Sequence, residues 1–428
     1  MRERVAIIDG LRTPIAKAGG KLKQIQADEL GAHIVRELAL RVGIPFKEYS
    51  EVIMGNVSQP PHAANVARVI ALRSGFPDST IAYTVHRNCA SGMEAITSAA
   101  QKIAAGRGEI YMCGGVESMS NIPLFYGKEM REFFSALFAS KTLAQKLLIL
   151  AQFRPSHLRP VMGLMQGLTD PISGLLMGST AEILAQDFGI GREAQDEMAM
   201  VSHHKAQKAR DEGIFAQEIA PIAYGKDATL MMDDDGIRDD QNMKALGKLR
   251  PFFDKKNGTV TAGNSSQISD AAAAVVLMSE SRAKEMGLTP LGYLKEYAYA
   301  GLEPKRMGMG PAFSTAALFK RTKMKMSDID LVEINEAFAV QVMANEIAFG
   351  SKEYAIKNLG RRSALGEIDP HMLNVNGGAV ALGHPVGMTG TRMVIHTLKE
   401  LKRRGKHRAL ATLCIGGGQG GALILEVE

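Results

Sequence analysis

Short runs of aliphatic and β-branched residues alternate along the chain with longer helical stretches. The short runs predict strands over residues 5–8, 51–54, 110–113, 273–278, 331–334 and 409–414. The longer stretches predict helices over 27–41, 92–105, 193–212, 336–349 and 389–404. Alternation of the two kinds argues for a layered α/β fold with helices packed over a sheet.

The pattern also echoes itself. Asn88-Cys-Ala-Ser-Gly92 leads into a helix and then into Gly106-Arg-Gly-Glu-Ile-Tyr-Met-Cys-Gly-Gly115. Far downstream, Gly383-His-Pro-Val-Gly387 leads into a helix and then into Gly405-Lys-His-Arg-Ala-Leu-Ala-Thr-Leu-Cys-Ile-Gly-Gly417. Each passage has a small-residue elbow, a helix, a turn, and a buried strand that reaches a Cys followed by glycines. Two α/β halves of shared topology explain the echo better than chance. Between them, residues 121–251 are less regular, with Met-rich, Pro-rich and acidic pieces. This stretch reads as an insertion covering one face of the body.

Composition narrows the class. With 46% apolar and 22% charged residues among 428, the chain is an ordinary globular protein and neither disordered nor fibrous. The 51 basic against 45 acidic residues leave a mild +6, which selects no partner by itself. The basic residues are dispersed without an aromatic-interleaved patch, so no nucleic acid is expected. The start has too short an apolar core for a signal peptide. The most lipid-like stretch, 133–153, is broken by Gln145, Gln152, Lys141 and Lys146. A cytoplasmic location is expected. Three isolated cysteines exclude a disulfide framework, and no Cys or His pair has ligand spacing, so no metal is expected either.

Four places could carry chemistry. Cys89 lies between an extended segment and a helix, where the positive helix end favours a thiolate; the bland reading is a buried structural thiol. His384 sits between Gly383 and Pro385 in a Gly-rich turn, as a general base or merely a helix-capping residue. The glycine spacing there departs from the dinucleotide fingerprint. Cys414 opens a run whose backbone N–H groups either hold an oxyanion or simply turn the chain. Asn335 stands at a strand-to-helix corner, as an N-cap or as the anchor of a water.

Taken together, the residues are similar to those of the thiolases, the acyl-CoA C-acyltransferases. The resemblance spans nearly the whole chain and rests on five motifs in family order: Asn88-Cys-Ala-Ser-Gly92, Val260-Thr-Ala-Gly-Asn-Ser-Ser-Gln-Ile-Ser-Asp270, Asn335-Glu-Ala-Phe338, Asn376-Gly-Gly-Ala-Val-Ala-Leu-Gly-His-Pro-Val-Gly387 and Cys414-Ile-Gly-Gly-Gly418. It implies an αβαβα-layered fold of two similar halves, 1–120 with 252–285 and 286–428, carrying an inserted loop domain over 121–251. It implies that Cys89 is acylated, that His384 activates it, and that Cys414 moves the proton at the substrate α-carbon or the leaving thiol. One oxyanion site would comprise His384 and a water held by Asn335, the other the N–H groups of Cys89 and Gly416. Coenzyme A and acyl-CoA are implied as substrates, with no tightly bound cofactor. Arg238 matches a position at the nucleotide end, Ser266 one at the pantetheine, and Ala337 and Phe338 line its tunnel.

Two departures point away from the acetoacetyl-CoA-forming pattern and toward the degradative branch that includes trifunctional β-subunits. Leu176 replaces a His before Met177-Gly178, a pair in the loop domain counted with the substrate contacts, and Gln267 stands where Gly is usual. The family implies a homodimer or tetramer, and that branch an α-subunit of a β-oxidation complex. Residues 131–160 combine Phe and Leu with Lys141, Lys146, Arg154 and Arg159. They read as a cover over an acyl tunnel, as a docking surface for membrane or partner, or as a buried loop-domain helix. Three rivals compete: a decarboxylating ketoacyl synthase, which needs a second His where Cys414 stands; a non-catalytic lipid carrier; and a nicotinamide enzyme.

Overall fold

The computed structural model describes residues 3–428. Nine strands carry its main sheet: β1 Val5–Arg12, β2 Glu51–Gly55, β3 Ile81–Val85, β4 Ile110–Ser118, β5 Ser269–Ser279, β6 Gly292–Gly301, β7 Leu331–Ile334, β8 Arg408–Ile415 and β9 Gln419–Glu426. Their spatial order is β7-β8-β9-β6-β1-β5-β4-β2-β3. A two-residue strand, Ala16–Lys17, pairs with β5 as the tenth.

The echo in the sequence is a topological repeat. Outward from the seam between β1 and β6, each side runs antiparallel, antiparallel, then parallel. On one side this is β1 to β5, β5 to β4 and β4 to β2. On the other it is β6 to β9, β9 to β8 and β8 to β7. The first side adds β3, parallel to β2. The seam itself is short, from Val5 opposite Leu294 to Ile7 opposite Gly292.

The helices that concern the site are α1 Ala27–Val42, α2 Val66–Ser74, α3 Ser91–Ala104, α4 Lys128–Ala139, α5 Leu143–Leu150, α6 Met177–Phe188, α7 Arg192–Asp211, α8 Gly310–Thr322, α9 Ala339–Gly350 and α10 Thr389–Arg404. Side-chain alternation sorts them into layers. Along β5, Ala271, Ala273, Val275 and Leu277 face a core shared with α3 and α10. Ala272, Ala274, Val276 and Met278 face the core under α1 and α2. Along β8, Ala409, Ala411, Leu413 and Ile415 meet the α3–α10 core, while Leu410 and Cys414 point to the core under α8 and α9. The result is a five-layer αβαβα stack with α3 and α10 in the middle. Strands buried on both faces lack a polar face, which is why they read as continuous apolar runs.

The sequence expectations need three corrections here. The helix expected over 336–349 begins at Ala339, because residues 335–338 form an irregular turn. The strand expected over 110–113 continues to Ser118, through Glu117, whose charge hides the pattern. The segment 131–160 is not a buried helix, since α5 buries no residue and Phe138 is 83% exposed.

Between Ser118 and Ser269 no described strand joins the large sheet. A buried ion network straps that excursion to the body. Arg12, fully buried at the end of β1, donates Nε to Glu218 at 2.7 Å and its two Nη groups to Asp234 at 2.7 and 2.9 Å. Asp234 also accepts the Ile15 N–H, and Glu218 meets His396 of α10 at 3.0 Å. Removing one member of such a network strands a buried charge, which costs ~3–5 kcal/mol. Asp234→Ala is therefore expected to lower the urea midpoint by that equivalent, whereas Asp239→Ala, on an exposed pair with Arg210, is expected to leave it within error.

Candidate active site

The elbow before α3 is built by its own polar atoms. The Ala90 N–H donates to Arg87 O at 2.9 Å and the Ser91 N–H to Asn88 O at 3.0 Å. Ser91 Oγ donates to Asn88 O at 2.7 Å and accepts from the Arg87 N–H at 2.9 Å. These bonds hold Asn88 at φ 43°, left-handed backbone that costs a non-glycine residue ~1–3 kcal/mol. The Asn88 amide then donates to Gly416 O at 2.7 Å, fastening the loop after β8 to the elbow. The tight turn presents Cys89, which keeps part of its surface open.

The Gly416 N–H and the Cys89 N–H lie near enough to the Cys89 sulfur to pull its pKa down. They are outweighed. Burial raises the pKa of this thiol above its ordinary value, and the charge of Glu117 adds to the rise. The expectation of a thiolate at the helix end is thus corrected, because desolvation outweighs the N–H groups. Cys414 is also a thiol, pushed up first by burial and then by a charge on Cys89. It lies opposite Gly420 on β8 and is 1% exposed.

The turn bearing His384 meets this elbow from the other half. A Cβ on Gly92 would stand 2.5 Å from Thr391 Oγ1 and 3.0 Å from Gly387 O, and one on Gly115 would collide with Gly387 O. Only glycine lets the two halves close here. The hydrogen bonds of His384 fix its tautomer. Thr389 Oγ1 donates to Pro385 O at 3.1 Å, so it accepts from His384 Nδ1–H at 2.6 Å. The bare lone pair is left on Nε2, which is buried and has no partner among the described residues. Burial, with the charge of Arg392 second, lowers this imidazole to about 4, so it is neutral and ready to accept a proton.

Asn335 follows β7 and donates its N–H to Thr412 O at 3.0 Å, two residues before Cys414. Its side chain is fully buried, and neither amide atom has a partner among the described residues. A buried amide left so costs ~1–3 kcal/mol unless a bound group answers it, a cost that suits a binding role better than a capping one.

The residues expected to meet coenzyme A fall into one linked region. The Ser266 N–H donates to Ala337 O at 3.0 Å, and Ser265 bridges Phe338. Gln267 Nε2 donates to Gly236 O at 3.1 Å, which ties in the segment of Arg238, an exposed residue. The Met177 sulfur lies beside Gly416.

Sequence reasoning missed four polar residues that build the site. Asn88 and Thr389 are described above. Glu336 accepts from Ser202 Oγ at 2.6 Å, Asn374 Nδ2 at 2.9 Å and Val380 N at 3.2 Å, which anchors the approach to His384 on α7. Glu117 accepts the Gly387 N–H at 2.9 Å. The available signal was an acid inside an apolar stretch, Gly114-Gly-Val-Glu117 and Val332-Glu-Ile-Asn-Glu336.

A thiol on a strained elbow, a neutral imidazole with a free lone pair, a second thiol and converging N–H groups define a cysteine-dependent acyltransferase on a two-half layered fold. The chain belongs to the thiolase family. The family model for the thiolase N-terminal domain matches residues 5–281, and that for the thiolase C-terminal domain matches 288–427. The chain is 41% identical to a 3-ketoacyl-CoA thiolase of Pectobacterium carotovorum, covering 99% of this chain and 97% of the relative. It is 40% identical to a 3-ketoacyl-CoA thiolase of Escherichia coli over 100% and 97%. Among crystal structures, acetyl-CoA acetyltransferase of Bacillus anthracis superposes with a TM-score of 0.87 at 38% identity, covering 99% of both chains. Human mitochondrial 3-ketoacyl-CoA thiolase in complex with CoA superposes with a TM-score of 0.86 at 35% identity, covering 100% of this chain and 98% of that one.

The Thr389 hydroxyl is what keeps Nε2 bare. Thr389→Val removes the acceptor and frees the ring to take the other tautomer. The expected result is a kcat roughly ten- to a hundred-fold lower, within the range of a general-base contribution, with KM for coenzyme A held. Steady-state assays in both substrates check this.

Proposed function

We propose that this protein cleaves 3-ketoacyl-CoA with coenzyme A, through an acyl group carried on Cys89. The observation that supports this most directly is the fastening of the Gly416 loop to the Cys89 elbow through Asn88, which sets the backbone N–H groups of Gly416 and Cys89 beside one sulfur. A carbonyl oxygen on an acyl-Cys89 would lie within their reach.

The chemistry follows from the protonation states. Both resting partners are neutral, so His384 Nε2 takes the Cys89 proton as sulfur bonds to the keto carbon. The N–H groups of Cys89 and Gly416 hold the resulting oxyanion. The carbon–carbon bond then breaks and its electron pair passes to the acetyl-CoA enolate. His384 Nε2, now protonated, has become a donor, and with Asn335 acting through a water it holds the enolate oxygen. The Cys414 thiol gives its proton to the α-carbon, a transfer suited to a group kept protonated by burial. In the second half, the Cys414 thiolate takes the proton of coenzyme A, whose sulfur attacks acyl-Cys89. Cys89 leaves and regains its proton from His384. Ser266, Ala337 and Phe338 hold the pantetheine and Arg238 the nucleotide end, with Met177 beside the reacting carbon.

The alternative is the reverse, acetoacetyl-CoA-forming reaction, on the same residues. The names of the Pectobacterium and Escherichia relatives, together with Leu176 and Gln267, favour cleavage. With it go a fatty-acid β-oxidation role, a homodimer or tetramer, an α-subunit partner and a cytoplasmic location. No described helix is long and apolar enough to cross a membrane. The domain division that accompanies this reading is 1–120 with 252–285, 121–251, and 286–428.

The segment 131–160 is, in this proposal, a peripheral contact with an anionic membrane surface. Leu143 is 74% exposed and Leu148 67% exposed, so neither packs into the core of the chain itself. Residues 133–169 contain Lys141, Lys146, Arg154 and Arg159 and no carboxylate. Exposed Leu and Phe interleaved with cations suit insertion at a negatively charged interface.

Two measurements test these readings. Intact-mass analysis after exposure to 3-ketooctanoyl- and 3-ketopalmitoyl-CoA is expected to show an acyl adduct on Cys89. Cys89→Ala should abolish it, and an adduct on Cys113 or Cys414 instead would refute the assignment. Co-sedimentation should capture the protein on phosphatidylserine-containing vesicles and not on pure phosphatidylcholine, and Lys141→Glu with Lys146→Glu should release it. Equal capture on both lipids, or none, removes the membrane contact.

A further inference from the structure

Glu117 is a carboxylate that touches both halves of the site. It lies near the end of β4 and is 1% exposed. Its Oε1 accepts from the Ser58 N–H at 2.9 Å and Asn56 Nδ2 at 3.2 Å. Its Oε2 accepts from the Val57 N–H at 3.1 Å and the Gly387 N–H at 2.9 Å. All these partners are neutral donors, an environment made for two acceptor oxygens and hostile to a carboxyl proton. Gly387 is three residues past His384, in the turn closed by Thr389 and Pro385. A Cβ on Gly387 would stand 2.8 Å from Glu117 Oε2 and 2.8 Å from Val116 O.

We propose that Glu117 is a positioning residue for acyl transfer: its carboxylate fastens the His384 turn to the 56–58 loop, next to Gly55 where the chain packs on Ser91 of the Cys89 elbow, and it presents a negative charge to the Cys89 thiol. The inference rests on the assignment of Cys89 and His384 above. It concerns what holds them, since Glu117 touches no reacting atom.

The electrostatics agree with the geometry. Burial pushes the Glu117 carboxyl up to about 7, with the charge of Asp270 adding and the N–H donors of Ser58, Gly387 and Val57 opposing. The groups facing it are therefore the 56–58 loop, Gly387 and, by their charges, Asp270 and Cys89. As pH falls through neutrality the carboxyl gains a proton that has no acceptor. The fastening then weakens while His384, held at about 4, is still neutral.

Glu117→Gln tests this. Turnover is expected to fall about ten-fold or more, with KM for coenzyme A within about two-fold, because the Ser266 and Ala337 region is untouched. The pH midpoint of Cys89 alkylation by iodoacetamide should move down, because the charge that raises this thiol is gone. General loosening would also hydrate the thiol and ease its ionisation, so the control is a variant that disturbs the same turn and keeps the charge. Gly387→Ala reaches the turn by another route and keeps the charge, so turnover should fall with the alkylation midpoint held. Unchanged turnover in Glu117→Gln, or an unmoved midpoint, overturns the proposal. If neither variant folds, the wild-type enzyme decides. Its kcat should carry an acid limb centred near pH 7, and a flat profile between about pH 5.5 and 8 overturns the proposal. Acyl-Cys89 on the wild-type protein separates the two levels: without the adduct the reading of the site fails, and with it only the role of Glu117 is at stake.

Discussion

The site exists because two chain segments almost three hundred residues apart touch backbone to backbone. The first turn of α3 and the end of β4 meet the 384–391 turn with no side chain between them at Gly92 and Gly115. Each half buries most of its strands on both faces, and the middle layer of α3 and α10 belongs to both. That shared core aims the N-terminal ends of two helices at one point. One elbow brings Cys89 there and the other brings His384. Packing sets the distance and hydrogen bonds set the orientation. Asn88 ties the elbow to the loop after β8, and Glu117 ties the histidine turn to the 56–58 loop.

How much of this was legible follows from what kind of force was at work. The layered fold was legible because strands buried on both faces must be apolar along their whole length, and the repeat because both halves solve the same packing problem. Cys89, His384 and Cys414 stood out as reactive side chains on small-residue turns. Three things were hidden. The boundary of α9 was lost because Ala337 and Phe338 have helix-compatible side chains, but the turn is held by long-range bonds in which Ala337 O accepts from the Ser266 N–H and the Ala339 N–H donates to Asn264 O. Glu117 and Glu336 were hidden because an acid in an apolar run announces a buried partner without saying which. The state of the Cys89 thiol was misread because the local argument counted the helix end and could not count the desolvation that the folded surroundings supply.

That correction changes how the chemistry is organised. An ion pair of thiolate and imidazolium would store its charges in the ground state. Here burial suppresses charge on both Cys89 and His384, so charge appears only when a carbonyl is present to take the electrons. Catalysis rewards interactions stronger in the transition state than before it. In the proposed reaction the N–H groups of Cys89 and Gly416 meet that condition, because they gain most when the carbonyl oxygen becomes an oxyanion. His384 Nε2 meets it too, because it is a donor only after it has accepted.

The same reasoning accounts for a second thiol in place of a second imidazole. A group that must protonate an enolate should hold its proton until the carbon–carbon bond breaks. Burial serves a thiol and an imidazole oppositely, since it favours the neutral form of each: it keeps the proton on sulfur and drives it off nitrogen. In the dry interior under α8 and α9, Cys414 stays an acid, whereas an imidazole there would be driven toward a base, as His384 is. In the proposed cycle, one degree of burial thus yields a base at residue 384 and an acid at residue 414, and the two roles follow from the element each side chain carries.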